Sequence, residues 1–110
     1  MTDLKKYKMF IDGDWVESDT RKTFETLNPE NNKPWAIVPE ASSNDVDRAV
    51  KAAQKAFEGE WSKILPRERG KFLRAIGDKL RENADLLGKI ETIDTGKLFR
   101  ETNKQANYIA

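Results

Sequence analysis

The chain has 110 residues, 37% hydrophobic and 35% charged, with a formal net charge of +1. That length is one domain or a piece of one, with the composition of a soluble globular protein, and the near-neutral balance supplies no general attraction to nucleic acid or an anionic membrane. Cysteine and histidine are both absent, which excludes a disulfide, a thiolate nucleophile, a Ser-His or Cys-His pair and an ordinary zinc site.

The opening "MTDLKKYKMF" has basic residues with no apolar run behind them, so it does not read as a secretory signal. No window approaches the length of a membrane span, and the expected location is cytoplasmic. "YKMFIDGDWVES" predicts a tight hairpin: Tyr7, Met9, Phe10 and Ile11 lead into Asp12-Gly13, the pair a type I′ turn prefers, and Trp15-Val16 leads out. A second, wider hairpin follows. Phe24 to Asn28 is extended, Pro29 to Lys33 turns, and Trp35 to Val38 returns before Pro39 stops the ladder.

The pattern then becomes helical. Ser42 with Asp45 resembles a capping box with Asp in place of Glu. Val46, Ala49, Val50, Ala53 and Phe57 fall on one face of the helix that follows, which closes at Gly59. Pro66 suits the first turn of a second helix with the apolar stripe Phe72, Leu73, Ile76 and Leu80. Leu86, Leu87, Ile90 and Ile93 continue the stripe, with Asn83 a candidate break and Gly96 the left-handed residue expected after the end. A third helix begins around Phe99 or Arg100, aligns Phe99, Thr102, Ala106 and Ile109, and has no stop signal before Ala110. That is the pattern of a chain cut inside an element.

Several groups invite a functional reading. Between Lys63 and Arg81, the cations Arg67, Arg69, Lys71, Arg74 and Lys79 stand against Glu68 and Asp78; spread around a helix, they read as a solvated face rather than a binding surface. Glu68, Asp78, Glu82 and Asp85 have basic neighbours at helical spacing, as ordinary surface ion pairs do. Trp15, Trp35 and Trp61 read as packing anchors over seams between elements. "DTGKLF" is not a phosphate loop, because Glu91 stands where the first glycine belongs and Leu98 follows the lysine. No G-x-G-x-x-G fingerprint is present.

"ETIDTGK", Glu91 to Lys97, places two carboxylates in a last helical turn, where the helix dipole is negative. Asp94 reads locally as a carboxylate bonded to the turn's backbone or paired with Lys97. Its second reading is a hard-cation ligand, since a carboxylate with helix-end and loop carbonyls makes an oxygen-rich pocket.

Taken in order, "FIDGDWVES", "TLNPENNKPWAIVPEAS", "DVDRAVKAAQKAF…W" and "PRERGKFLRAIGDKLRENADLLGKIETIDTGK" resemble the start of the NAD(P)-dependent aldehyde dehydrogenase superfamily, from about Tyr7 to Ala110. The resemblance implies an α/β parent fold with a Rossmann-type coenzyme domain. Residues 1–110 would form its N-terminal part, two β-hairpins over 5–40 followed by three α-helices over 42–110, with the catalytic domain absent. It implies oxidation of a small-molecule aldehyde to a carboxylic acid with NAD or NADP, by a cysteine nucleophile, an oxyanion site and a glutamate that activates water. No catalytic or nucleotide-contacting residue is carried onto this chain, which is expected to be inactive alone and to take no cofactor by itself. Family members with a monovalent-cation site, for K+ or Na+, hold the ion through backbone carbonyls matching Thr26 and Leu27 and the aspartate matching Asp94, with a further ligand from outside this segment. The apolar stripes around Val50, Leu73 and Ile90 would meet a parallel sheet supplied elsewhere in such a protein. The resemblance further implies a homo-oligomer with no nucleic-acid or membrane partner. The alternative reading is an autonomous α+β protein-interaction module derived from such a segment.

Overall fold

A computed structural model describes residues 4–110; Met1 to Asp3, part of the stretch read for a secretory signal, lie outside the described residues. The chain forms two compact units. One comprises the residues up to Leu27 together with Pro34–Lys63, the other Asn28–Lys33 with Ile64–Ala110.

In the first unit, β2 (Met9–Ile11) and β3 (Asp14–Val16) pair antiparallel, with Phe10 opposite Trp15. The loop between them is Asp12-Gly13, with φ of 52° and 86°, the two positive values a type I′ turn requires. The second hairpin is β4 (Thr23–Asn28) and β5 (Lys33–Pro39). β1 (Lys5–Lys6), which the sequence pattern does not predict, adds to β5 in parallel, giving a three-stranded sheet of order β1-β5-β4. The Tyr7 amide extends this pairing to the Ile37 carbonyl at 2.9 Å, and the Tyr7 ring meets Trp35 edge-on at 6.2 Å.

Helix α1 (Ser43–Glu58) starts on the predicted capping box: the Asp45 amide donates to Ser42 Oγ, and the Ser42 amide donates to the Asp45 carboxylate at 3.0 Å. The same carboxylate also accepts from the Ser18 hydroxyl at 3.0 Å and the Asp19 amide at 3.2 Å. A residue that caps its own helix therefore also ties down a loop 27 positions away. A one-turn helix, α2 (Glu60–Lys63), follows Gly59 and carries Trp61.

In the second unit the long helical pattern is divided at Asn83, the candidate break, into α3 (Pro66–Glu82) and α4 (Ala84–Thr95). The Asn83 side chain donates to the Lys79 carbonyl at 2.9 Å, beside the Asn83 backbone amide, which reaches the same oxygen at 3.2 Å and closes the end of α3. The third predicted helix is α5 (Phe99–Ile109). α5 lies against α4 through small residues: a Cβ on Gly88 would stand 3.0 Å from the Asn103 nitrogen. Beside it, the fully buried Thr102 hydroxyl lies 3.0 Å from the Gly88 carbonyl and 3.1 Å from Thr92 Oγ1.

The predicted apolar stripes exist, but within this chain they are not core. Among the described residues the buried hydrophobic side chains are Ala36, Ala84 and Ala106, whereas Val50, Phe57, Leu73 and Ile76 are 56–72% exposed. Trp15 is 67% exposed and meets Phe10 across its hairpin at 5.1 Å, so it does not cover a seam as expected.

Candidate functional site

The motif Glu91 to Lys97 is built by the end of α4. Gly96 has φ 76° and ψ 7°, the left-handed conformation that lets the chain leave a helix, and its amide bonds the Thr92 carbonyl. The Thr95 hydroxyl folds back onto the Glu91 carbonyl at 2.6 Å. Lys97 then returns its ammonium to the Glu91 carboxylate, also at 2.6 Å. That bridge compensates one of the two acids placed at the negative end of the helix.

Asp94 stands exposed in the same turn. Carboxylate and carbonyl oxygens are the donor set of a hard cation. Thr26 and Leu27 are consecutive in β4, Thr26 half-buried and Leu27 exposed. They belong to the first compact unit and Asp94 to the second. Among the described residues no group of three or more acidic, His or Cys side chains is gathered for a metal, so a cation here would depend on backbone carbonyls.

The remaining groups singled out by sequence take structural roles. Glu68 pairs with Lys71 at 3.0 Å, Asp78 with Arg81 at 3.2 Å and Glu82 with Lys79 at 2.6 Å, each pair three residues apart on the helix surface. The Lys79 pKa is raised, chiefly by its hydrogen bond to Glu82. Asp85 accepts from the Asn103 amide group at 2.5 Å, a link between α4 and α5. Gly96-Lys97 joins two helices, with the lysine committed to Glu91, and is not a phosphate cradle.

Sequence reading did not anticipate a contact that the second unit makes at this motif. Pro29, in the turn after "TLN", lies so close to Gly96 that a Cβ there would stand 3.1 Å from Pro29 Cγ. The signal available beforehand was the pair of motifs "TLNP" and "DTGK", which carry no local mark of their contact.

The sequence model of the aldehyde dehydrogenase family matches residues 15–110. An aldehyde dehydrogenase of Aspergillus niger is 48% identical over 89 residues, 81% of this chain and 18% of that protein. A (Z)-2-((N-methylformamido)methylene)-5-hydroxybutyrolactone dehydrogenase of Acinetobacter baylyi is 37% identical over 97% of this chain and 22% of its own length. Among solved structures, betaine aldehyde dehydrogenase from Staphylococcus aureus in complex with NAD+ superposes with a TM-score of 0.87 at 42% identity, over 91% of this chain and 20% of that one. This chain thus spans about a fifth of the length of these relatives. A match over nearly the whole segment, in sequence and in fold alike, places the chain in the aldehyde dehydrogenase family.

Proposed function

We propose that residues 1–110 are the N-terminal part of the coenzyme-binding domain of an NAD(P)-dependent aldehyde dehydrogenase that oxidises an aldehyde to a carboxylic acid. The observation that carries this reading is the exposure of three helix faces: Val46, Val50 and Phe57 on α1, Phe72, Leu73 and Ile76 on α3, and Leu86 and Leu87 on α4. Regular amphipathic helices with their apolar stripes uncovered are elements of a core whose other half lies elsewhere. A sheet from the rest of the coenzyme domain is the proposed cover.

In this reading the segment supplies scaffold rather than chemistry. It has no cysteine to attack a carbonyl, and none of its residues is assigned to the nucleotide. NAD, the cofactor in the Staphylococcus aureus structure, would accept the hydride at residues beyond this segment. Thr26 and Leu27 carbonyls with the Asp94 carboxylate are proposed to hold K+ or Na+, completed by a further ligand from outside the segment. The complete protein is read as a cytoplasmic homo-oligomer.

Hydrogen exchange on the 110-residue chain tests the reading. Fast exchange along α3, with self-association, is expected when its stripe lacks its sheet. Strong protection of α3 with one cooperative unfolding would instead favour an autonomous interaction module. Incubation with NAD+ and an aldehyde should yield no NADH, and turnover would overturn the proposed inactivity.

A further inference from the structure

We propose that a basic cleft in the first unit binds a small phosphate ester. The cleft has a volume of about 360 Å³ and lies between one face of the β1–β5 pair and the loop that precedes β4. That volume is in the range of small-molecule sites, roughly 300–1,000 Å³.

Strand register builds it. Lys6 stands beside Ile37 in the parallel pair, and residues two apart in extended chain share a face, so Lys6, Lys8, Ile37 and Pro39 come together. The Tyr7 ring takes the other face, where the Lys5 ammonium lies 4.8 Å from its centre. Ile37 and Pro39 are half-buried and form an apolar floor, and the exposed Lys6, Lys8, Arg21 and Lys22 surround it. The loop is fixed against the same strand, since the Glu40 amide donates to the Lys22 carbonyl at 2.9 Å.

Four cations thus face one carboxylate, Glu17. Among the described residues none of the four is in an ion pair, whereas Lys51, Lys63, Lys71 and Lys79 on the helices each hold a carboxylate. Gathered cations without counter-charge repel one another, and a phosphate dianion relieves that repulsion while accepting from guanidinium and ammonium donors. Arg21 is held at φ 56°, with its amide on the Ser18 carbonyl at 2.9 Å. Asp12 and Asn32 share a positive φ, but they are residue types that tolerate it, and arginine is not. A backbone outlier that carries a charge into a cleft is a functional signal. The apolar floor would receive the carbon group of the ester.

Hydrogen exchange of the 110-residue chain is compared in phenyl phosphate, inorganic phosphate and sodium chloride at equal ionic strength. Phenyl phosphate should slow exchange over residues 6–8 and 17–23 with a Kd below about 1 mM. Inorganic phosphate should bind roughly tenfold more weakly, lacking the group that covers the floor, and chloride should have no effect. Arg21→Gly keeps the turn, because glycine takes the left-handed region without steric cost, and should weaken phenyl phosphate binding about tenfold. Lys8→Gln, a change at an exposed position, should weaken it similarly. Lys55→Gln, at a cation of the same unit that does not line the cleft, should leave it unchanged. Equal weakening by all three substitutions would overturn the site in favour of general charge attraction. Equal affinity for the two phosphates would overturn the ester as ligand, and no slowing by either would overturn the cleft as a site. Exchange along α3, which decides the function proposed above, should be the same in all three solutions, so the two readings stand or fall separately.

Discussion

Asp45 shows how much one carboxylate can hold when its donors converge. Its pKa lies below the usual 3.8, lowered most by the Ser42 amide and further by the Ser18 hydroxyl, the Asp19 amide and the Ser42 hydroxyl, which together outweigh the opposing effect of burial. A carboxyl more acidic in the folded than in the unfolded chain stabilises the fold above its unfolded pKa. That contribution is lost as the pH falls through the lower folded value. Asp45→Asn should therefore be less stable than the wild type at neutral pH, with the gap closing as the solution is acidified, measured by urea unfolding at a series of pH values. The cap itself was legible as Ser-x-x-Asp before a periodic run. The Ser18 bond was not, because no local pattern marks a partner 27 residues away.

At the scale of elements, packing in the second unit depends on missing side chains as much as on present ones. Gly88 lets α5 approach α4 so closely that an added methyl would meet the Asn103 nitrogen at 3.0 Å and its Cα at 3.1 Å. These are backbone atoms, which give way only if α5 moves. Gly88→Ala should cost about 1–3 kcal/mol, read as a loss in urea-unfolding free energy followed by helical circular dichroism. The intrinsic helix preference of Ala over Gly, about 1 kcal/mol, works in the opposite direction, so net destabilisation would show that the approach dominates. The long helices and both hairpins were legible because their periodicity extends over several turns or alternations. The one-turn helix at Glu60–Lys63 is too short to show a period. The parallel pairing of Lys5–Lys6 joins two charged residues to a strand some thirty positions on, and nothing in their own neighbourhood announces it.

The whole chain exposes 8975 Å², whereas two separate folded bodies sharing its mass would expose about 7,500 Å². The excess agrees with the uncovered stripes and with a chain that spans about a fifth of the length of its relatives. It also makes a prediction about where substitutions are felt. Leu73, 69% exposed on α3, contributes little here, so Leu73→Glu should change the stability of this chain by no more than about 0.5 kcal/mol while raising its soluble fraction, checked by urea unfolding and centrifugation. In a complete enzyme, if the proposed sheet covers that face, the same change would bury an unpaired charge and abolish folding. The amino-acid sequence by itself determined the element types, the turn chemistry, the caps and, through the order of its motifs, the family, because each of these depends on neighbours a few residues apart or on a pattern read along the chain. Only the tertiary structure decided which faces are covered, that Asp45 reaches Ser18, and that Pro29 rests on Gly96. Such contacts depend on distances in space between segments far apart in sequence, and neither segment carries a local trace of the other.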